Sequence, residues 1–151
     1  MKSIPLTFLS LLTFVIAAFA ADDHGHSHEK KNPGPNGGRV IEAVKPHLEF
    51  FVTADRKVQI IALTASLQPD KLSGQIISVI AGERSNPTKL ELIEQDGKLI
   101  SSNTLPEGND FPVSVSIKTD ASSKAIYEKF HLNMTKCPGC KLPEYACICG
   151  H

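Results

Sequence analysis

The first 136 residues of this 151-residue chain contain no cysteine, and the chain as a whole has no net charge at pH 7. Sixteen lysines and arginines stand against 16 aspartates and glutamates, which excludes the strongly basic surface that nucleic acids and anionic membranes attract. No second apolar run follows the one at the amino terminus, and the sequence shows no heptad, internal repeat or long helical pattern. We therefore expect no nucleic-acid partner and no membrane span in the body of the chain.

Motifs of catalysis are also missing. The sequence contains no nucleophile elbow, no phosphate-binding loop and no His-Glu-x-x-His pattern, and it shows no pair of carboxylates suited to a catalytic cleft. Since no set of catalytic side chains is visible, we expect a protein that is not an enzyme.

The first twenty residues have the layout of a cleaved export signal. Lys2 gives a positive start, residues 4–18 are apolar, and the small residues Ala18 and Ala20 stand where a signal peptidase reads. We predict a signal peptide over 1–20 and an exported protein without membrane insertion, periplasmic in a Gram-negative cell and secreted otherwise. Three of the seven phenylalanines fall in this segment, so the core has to be built mainly from Ile, Leu and Val.

Residues 21–35 form a polar leader with three histidines at alternate positions, His24, His26 and His28. The leader has no apolar residue after Ala21, and this composition predicts disorder because nothing in it can be buried. Imidazole and carboxylate groups together bind Cu(II), Ni(II) or Zn(II), so the leader is predicted to collect metal ions loosely. A solubilising leader without metal is the alternative interpretation.

From residue 36 to 135 the apolar residues alternate with a period of two. The predicted strands are 39–44, 47–53, 57–64, 74–80, 89–95, 98–101, 111–119 and 124–134. Asp96-Gly97 is the strongest hairpin signal, and Pro69-Asp70 indicates a turn. Short strands at this spacing predict an all-β domain, an antiparallel β-sandwich with immunoglobulin-like connections. The residues predicted to face its core include Val113, Val115, Ile117, Phe130, Leu132 and Met134.

Residues 136–151 hold all four cysteines and end in a histidine. Pro138 and Gly139 favour a turn that folds Cys137 back toward Cys140. In an extended segment residues two apart point the same way, so Cys147 and Cys149 can join them. The tail is therefore predicted to bind one Zn or Cu ion, and its candidate ligands are Cys137, Cys140, Cys147, Cys149 and His151.

Other interpretations of these residues stay open. An exported chain with an even number of cysteines often carries disulfides, although a bridge between Cys147 and Cys149 would be strained. Cys137 and Cys140 can also be a redox pair, but such a pair normally opens a helix, and Lys-Leu-Pro follows here. His47 and His131 lie singly on strands, where surface or structural roles are commoner than ligation. Because the tail follows the last strand, we expect Cys140→Ser to weaken metal binding and leave the melting of the sandwich nearly unchanged.

Residues 34–40 read Gly-Pro-Asn-Gly-Gly-Arg-Val, after the histidine-rich leader and before a strand with Glu49. This stretch resembles the amino-terminal periplasmic region of adaptor subunits in heavy-metal efflux systems of the resistance-nodulation-division type, in which Gly-Pro-His-Gly-Gly-Arg precedes a small β-module. The resemblance covers residues 24–60 and implies an exported module that handles copper, zinc or nickel, with a metal efflux complex as partner. Asn36 stands where that pattern has histidine, and no helical hairpin or barrel domain is visible, which implies a free-standing relative.

Three functional hypotheses follow. The first is an exported, non-enzymatic protein that captures, buffers or delivers transition-metal ions in the cell envelope. The second is an envelope protein-protein interaction module whose tail is closed by disulfides or by a structural zinc ion. The third is a thiol-disulfide oxidoreductase in which Cys137 and Cys140 react.

Overall fold

The computed structural model describes residues 31–150. In it, the segments whose apolar residues alternate with a period of two form ten β-strands. The predicted signal peptide, the leader histidines His24, His26 and His28, and the terminal His151 lie outside the described residues. Within 31–150, no helix has the length and apolar character needed to cross a membrane.

Six of the strands form the first sheet. They are β1 (Arg39–Ile41), β2 (His47–Val52), β3 (Val58–Leu63), β4 (Pro69–Asp70), β7 (Leu92–Gln95) and β8 (Lys98–Ser101). Their order is β1-β2-β3-β8-β7, with β4 also paired to β3, and every pair is antiparallel. Asp96 and Gly97 have φ values of 53° and 76° and join β7 to β8, which confirms the predicted Asp-Gly hairpin.

Four strands form the second sheet. They are β5 (Ile76–Ala81), β6 (Thr88–Leu90), β9 (Asp110–Lys118) and β10 (Ile126–Asn133), in the order β10-β9-β5-β6. The prediction of one strand over 89–95 is wrong, because the chain leaves the second sheet after Leu90 and joins the first sheet at Leu92. Pro69 and Asp70, predicted as a turn, pair with Leu63 and Ala62 as a short strand.

The core lies between the two sheets. The strictly alternating burial of β9 places Val113, Val115 and Ile117 inside, and Leu132 of β10 joins them with no exposed surface. Full burial of each such aliphatic side chain contributes about 1.5–3 kcal/mol. The predicted all-β antiparallel sandwich is therefore confirmed, whereas the immunoglobulin-like connections stay a prediction.

The tail is packed onto this sandwich. A short 3₁₀ helix, Glu144–Ala146, inserts Tyr145 and Ala146 into the core cluster, where they are 4% and 5% exposed. The Tyr145 ring meets the ring of Phe50 edge to face, with the centroids 6.1 Å apart. The helix contacts β1 and β10, the outermost strands of the two sheets. The side chains that close this side of the core thus come from the cysteine-bearing tail, contrary to the expectation that tail and sandwich are separate.

Candidate metal centre

The first cysteine pair is held in a closed turn. The amide of Lys141 donates to the carbonyl oxygen of Cys137 at 3.0 Å, and the amide of Cys137 donates to the carbonyl oxygen of Leu142 at 2.8 Å. Lys141 takes the left-handed conformation with a φ of 65°, which reverses the chain after Cys140. The turn expected from Pro138 and Gly139 thus folds Cys140 back toward Cys137.

The second pair follows the 3₁₀ helix. The amide of Cys147 donates to the carbonyl oxygen of Glu144 at 3.1 Å, which ends the helix, and Cys147 itself is extended. The amide of Cys149 then donates to the sulfur of Cys147 at 3.3 Å. This hydrogen bond fixes the position of one sulfur relative to the backbone that carries the next.

The four sulfur atoms form one cluster, all within 4.8 Å of one another. Cys137 Sγ lies 3.4 Å from Cys147 Sγ and 3.9 Å from Cys149 Sγ, and Cys140 Sγ lies 3.7 Å from Cys147 Sγ. A tetrahedron with metal–sulfur bonds of 2.3 Å has edges of about 3.8 Å. These separations therefore match four thiolates around a single ion.

The same separations bear on the disulfide alternative. Among residues 31–150, which include all four cysteines, no disulfide is formed. The shortest sulfur–sulfur distance, 3.4 Å between Cys137 and Cys147, is well above the roughly 2.0 Å of a disulfide bond. Within this part of the chain, no other group of three or more His, Cys, Asp or Glu side chains has the spacing of a metal site.

The backbone around the cluster makes the cysteines unequal. A hydrogen bond from the amide of Ile148, joined by one from Leu142, lowers the pKa of Cys140 to about 6. Burial raises the pKa of Cys147 to about 12. The hydrogen bond with the Cys140 side chain, together with burial, raises the pKa of Cys149. A bound cation would favour the thiolate form of all of them, because an opposite charge stabilises the ionised group.

Gly139 lies against the sulfur cluster, where a larger residue would have little space. A Cβ atom at this position would lie 3.0 Å from Cys149 Sγ and 3.7 Å from Cys137 Sγ. A side chain here would press on Cys149 Sγ, whereas the separation from Cys137 Sγ is an ordinary van der Waals contact. Glycine at the second position of the Pro138-Gly139 turn therefore lets Cys149 approach closely.

The glycine loop, residues 34–38, supports the site from the sandwich side. A Cβ on Gly37, which has a φ of 79°, would lie 3.2 Å from the Leu142 side chain. The loop is tied to Glu49, whose carboxylate is fully buried and accepts hydrogen bonds from the Asn36 amide, the Asn36 side chain and the Gly38 amide at 2.8–2.9 Å. Such charge-assisted bonds are the stronger ones in proteins. The glycine loop thus connects a buried carboxylate to the cysteine turn.

Sequence reasoning missed these supporting residues. Tyr145 and Glu49 act through contacts with distant parts of the chain, and the dense glycines of residues 34–38 were the one local signal of close packing. Gly139 was predicted as a turn residue, but its close approach to Cys149 Sγ was not. His47 and His131 take no part in the cluster: His47 Nδ1 lies 3.1 Å from the Val44 carbonyl oxygen, and the exposed His131 pairs with Asp110 at 3.0 Å.

Comparison of the chain with protein-family models, with curated proteins and with solved structures found no match. The structure itself defines an all-β sandwich with a four-cysteine cluster able to hold a metal ion.

Proposed function

We propose that this chain is an exported, non-enzymatic metal-binding protein that captures, buffers or delivers transition-metal ions in the cell envelope. Cys137, Cys140, Cys147 and Cys149 are its ligands. The observation that carries the proposal is the single cluster of four sulfurs at separations close to a tetrahedron. Zinc is the favoured ion because a closed set of four thiolates is its usual structural environment, and Cu(I) is the alternative soft ion.

The exposure of the cluster supports exchange of the ion. Cys137 is fully buried, whereas Cys140, Cys147 and Cys149 are each half-buried. An ion held by these residues has three thiolates that a competing ligand can approach from solvent. This asymmetry favours capture and delivery over a permanently enclosed ion.

The sequence supports the cellular setting. The layout of residues 1–20 favours export, and His24, His26 and His28 are proposed as a loose collector ahead of the cysteine cluster. The resemblance of residues 34–40 to efflux adaptors makes a heavy-metal efflux complex the proposed partner.

A second candidate function is an envelope interaction module in which the ion is purely structural. The packing of Tyr145 and Ala146 into the core favours it, because these residues lie between the two cysteine pairs. An ion that joins the pairs would then hold the 3₁₀ helix on the sandwich, and the sheets would provide the surface for a partner.

The first experiment is native mass spectrometry of the untagged mature chain, purified without chelators and without reductant. One zinc ion per chain with four unmodified thiols is the expected result. Loss of four hydrogens with no ion would contradict the proposal and favour a disulfide-closed tail. Cys140→Ser should lose the ion, and deletion of residues 22–29 should keep the tight ion and lose only weakly bound ones.

A second measurement separates delivery from a structural role. A chromophoric zinc chelator is added to the loaded protein while near-ultraviolet circular dichroism follows the core around Tyr145. Transfer of zinc with the sandwich still folded supports capture and delivery. Unfolding of the domain at the same rate as zinc transfer supports the structural role.

A further inference from the structure

A small cavity of about 210 Å³ lies beside the cysteine cluster. Its wall combines the start of the described chain, β1, β10 and the tail, and includes Lys31, Arg39, Glu42, Glu128, Tyr145 and Cys147. The proposed metal function uses Cys147 and leaves the four charged groups without a role.

Arg39 is the unusual residue of this wall. Its guanidinium carbon lies 4.8 Å from the centroid of the Phe130 ring, within the range of a cation–π contact. Its Nε atom is buried and has no hydrogen-bond partner within residues 31–150. The ion pairs in this part of the chain, Lys57 with Asp55 and His131 with Asp110, do not include it. A buried donor without an acceptor is costly, and in native structures each such group calls for an explanation such as an ordered water or an ion. The cost identifies Arg39 as a residue held in place for more than packing.

The charged side chains of the cavity wall restrict which class of ligand can bind. Lys31 and Arg39 are cationic, whereas Glu42 and Glu128 are anionic. A simple anion would meet both carboxylates and a simple cation would meet both basic groups. A small zwitterion instead finds a partner of opposite sign for each of its ends. The volume is below the roughly 300 Å³ at which pockets for drug-sized ligands begin, so it matches a ligand of a few heavy atoms.

We propose that this cavity binds a free α-amino acid. The carboxylate of the ligand accepts hydrogen bonds from the terminal nitrogens of the Arg39 guanidinium, since Nε itself has no accessible surface, and Lys31 is a second cation. The ammonium group of the ligand pairs with Glu42 and Glu128. Val40, Ala43 and Ile148 add apolar wall for a short side chain. This site goes beyond the proposed metal function and does not require it, although Cys147 places the ligand directly beside the cluster.

The test uses the mature protein with its metal content measured before each titration. Glycine and L-alanine are the probes, acetate and methylamine are the single-charge controls, and the Arg39 Nε–H resonance is followed by NMR alongside calorimetry. Saturable shifts of that resonance with the amino acids, and much weaker ones with acetate or methylamine, are expected. Absence of any shift, or equal response to acetate, would overturn the proposal and leave a site for water or a simple anion.

Two substitutions locate the site. Arg39→Gln should weaken glycine binding at least about tenfold, the usual cost of a lost charged hydrogen bond, and the exposed Arg84→Gln should not change it. If Arg39→Gln does not fold, Glu128→Gln removes an ammonium partner and should weaken glycine but leave acetate unchanged. Binding that both cavity variants retain would place the amino acid elsewhere and overturn the proposal. Loss of amino-acid binding with zinc still bound, or the reverse, shows which of the two proposals has failed.

Discussion

The phenolic oxygen of Tyr145 accepts a hydrogen bond of 3.1 Å from the backbone amide of Val52, 93 positions earlier in the chain. Val52 is the last residue of β2, and Tyr145 lies in the tail between Cys140 and Cys147. The residue that fastens the tail to the sandwich is therefore bracketed by candidate metal ligands. Ion binding and the stability of the domain are expected to be linked.

Tyr145→Phe tests this hydrogen bond. The variant keeps the ring against Phe50 but leaves the Val52 amide without its acceptor, so the free energy of unfolding should fall by about 1–2 kcal/mol. Urea denaturation of the zinc-loaded protein measures the change. Tyr127→Phe is the matched control, since Tyr127 is 63% exposed and should give almost no effect. Equal losses in the two variants would show that the Val52 contact contributes nothing.

Alkaline pH should destabilise the wild type through the same residue. Burial, with the nearby charge of Glu49, raises the pKa of Tyr145 to about 12 from its ordinary value of 10. The folded state thus holds the phenolic proton more tightly than the unfolded state does. The contribution of Tyr145 is complete below pH 10 and is lost as the pH rises through 12. The urea concentration at the midpoint of unfolding, measured between pH 10 and pH 12, should fall more steeply with pH for the wild type than for Tyr145→Phe. An equal fall in the two proteins would show that Tyr145 does not cause the loss of stability.

Removal of zinc should lower the melting temperature of the whole domain. This replaces the expectation from the sequence that the sandwich would be indifferent to the tail, because Tyr145 and Ala146 belong to its core. With free zinc 100-fold above its dissociation constant, the stabilisation lost is about 2.7 kcal/mol. Calorimetry with and without chelator measures it. Cys140→Ser should melt at the temperature of the chelator-treated wild type, and chelator should not shift it further. If metal binding and domain stability are not linked, all of these melting temperatures will be equal.

Gly139→Ala should weaken metal binding more than it weakens the fold. The added methyl group would lie 3.0 Å from Cys149 Sγ, so the cluster has to expand to accept it. Changes beside metal ligands typically cost on the order of tenfold to a hundredfold in affinity. Competition with a chelator of known affinity gives the value. Gly74→Ala is the control for a glycine substitution that strains the backbone without touching the cluster. Its φ of 80° disfavours alanine and nothing lies within 4 Å of a Cβ there, so stability should fall while zinc affinity stays at the wild-type value.

Glu49→Gln tests the glycine loop. The amide keeps the shape of the side chain but replaces a charge that accepts three hydrogen bonds with a neutral group that can accept fewer, and a loss of about 2–3 kcal/mol is expected. Glu94→Gln on the exposed part of β7 is the control and should change stability by less than about 0.5 kcal/mol. Thermal unfolding of both proteins gives the comparison, and a similar small change in both would show that the buried carboxylate is dispensable.

The parts of the fold that could be predicted are those with a local cause. Val113, Val115 and Ile117 alternate along β9, and a period of two requires one buried face. Asp96 and Gly97 form their hairpin because both accept positive φ. The break at Glu91 has no such signal. The chain changes sheets there because β8 offers a partner for β7, and this pairing depends on tertiary structure.

The candidate metal centre also has parts that the sequence predicts and parts that it does not. The approach of Cys140 to Cys137 follows from the chemistry of the Pro138-Gly139 turn, which is visible in the sequence. The burial of Glu49 could not be predicted, because in a strand it lies on the face opposite to Leu48 and Phe50, and only the folded glycine loop covers it. The role of Tyr145 depends on a partner 93 residues away, and nothing in the sequence of the tail indicates that partner.

Lys31 and Ile148 line the same cavity, and this bears on how the protein should be purified. Lys31, the first described residue, and Ile148, close to the last one, line the same cavity as Cys147. A polyhistidine purification handle adds imidazole ligands of its own, and these compete for the very ion under assay. Stoichiometries obtained with such a handle would report the handle, so the chain should be isolated with native ends.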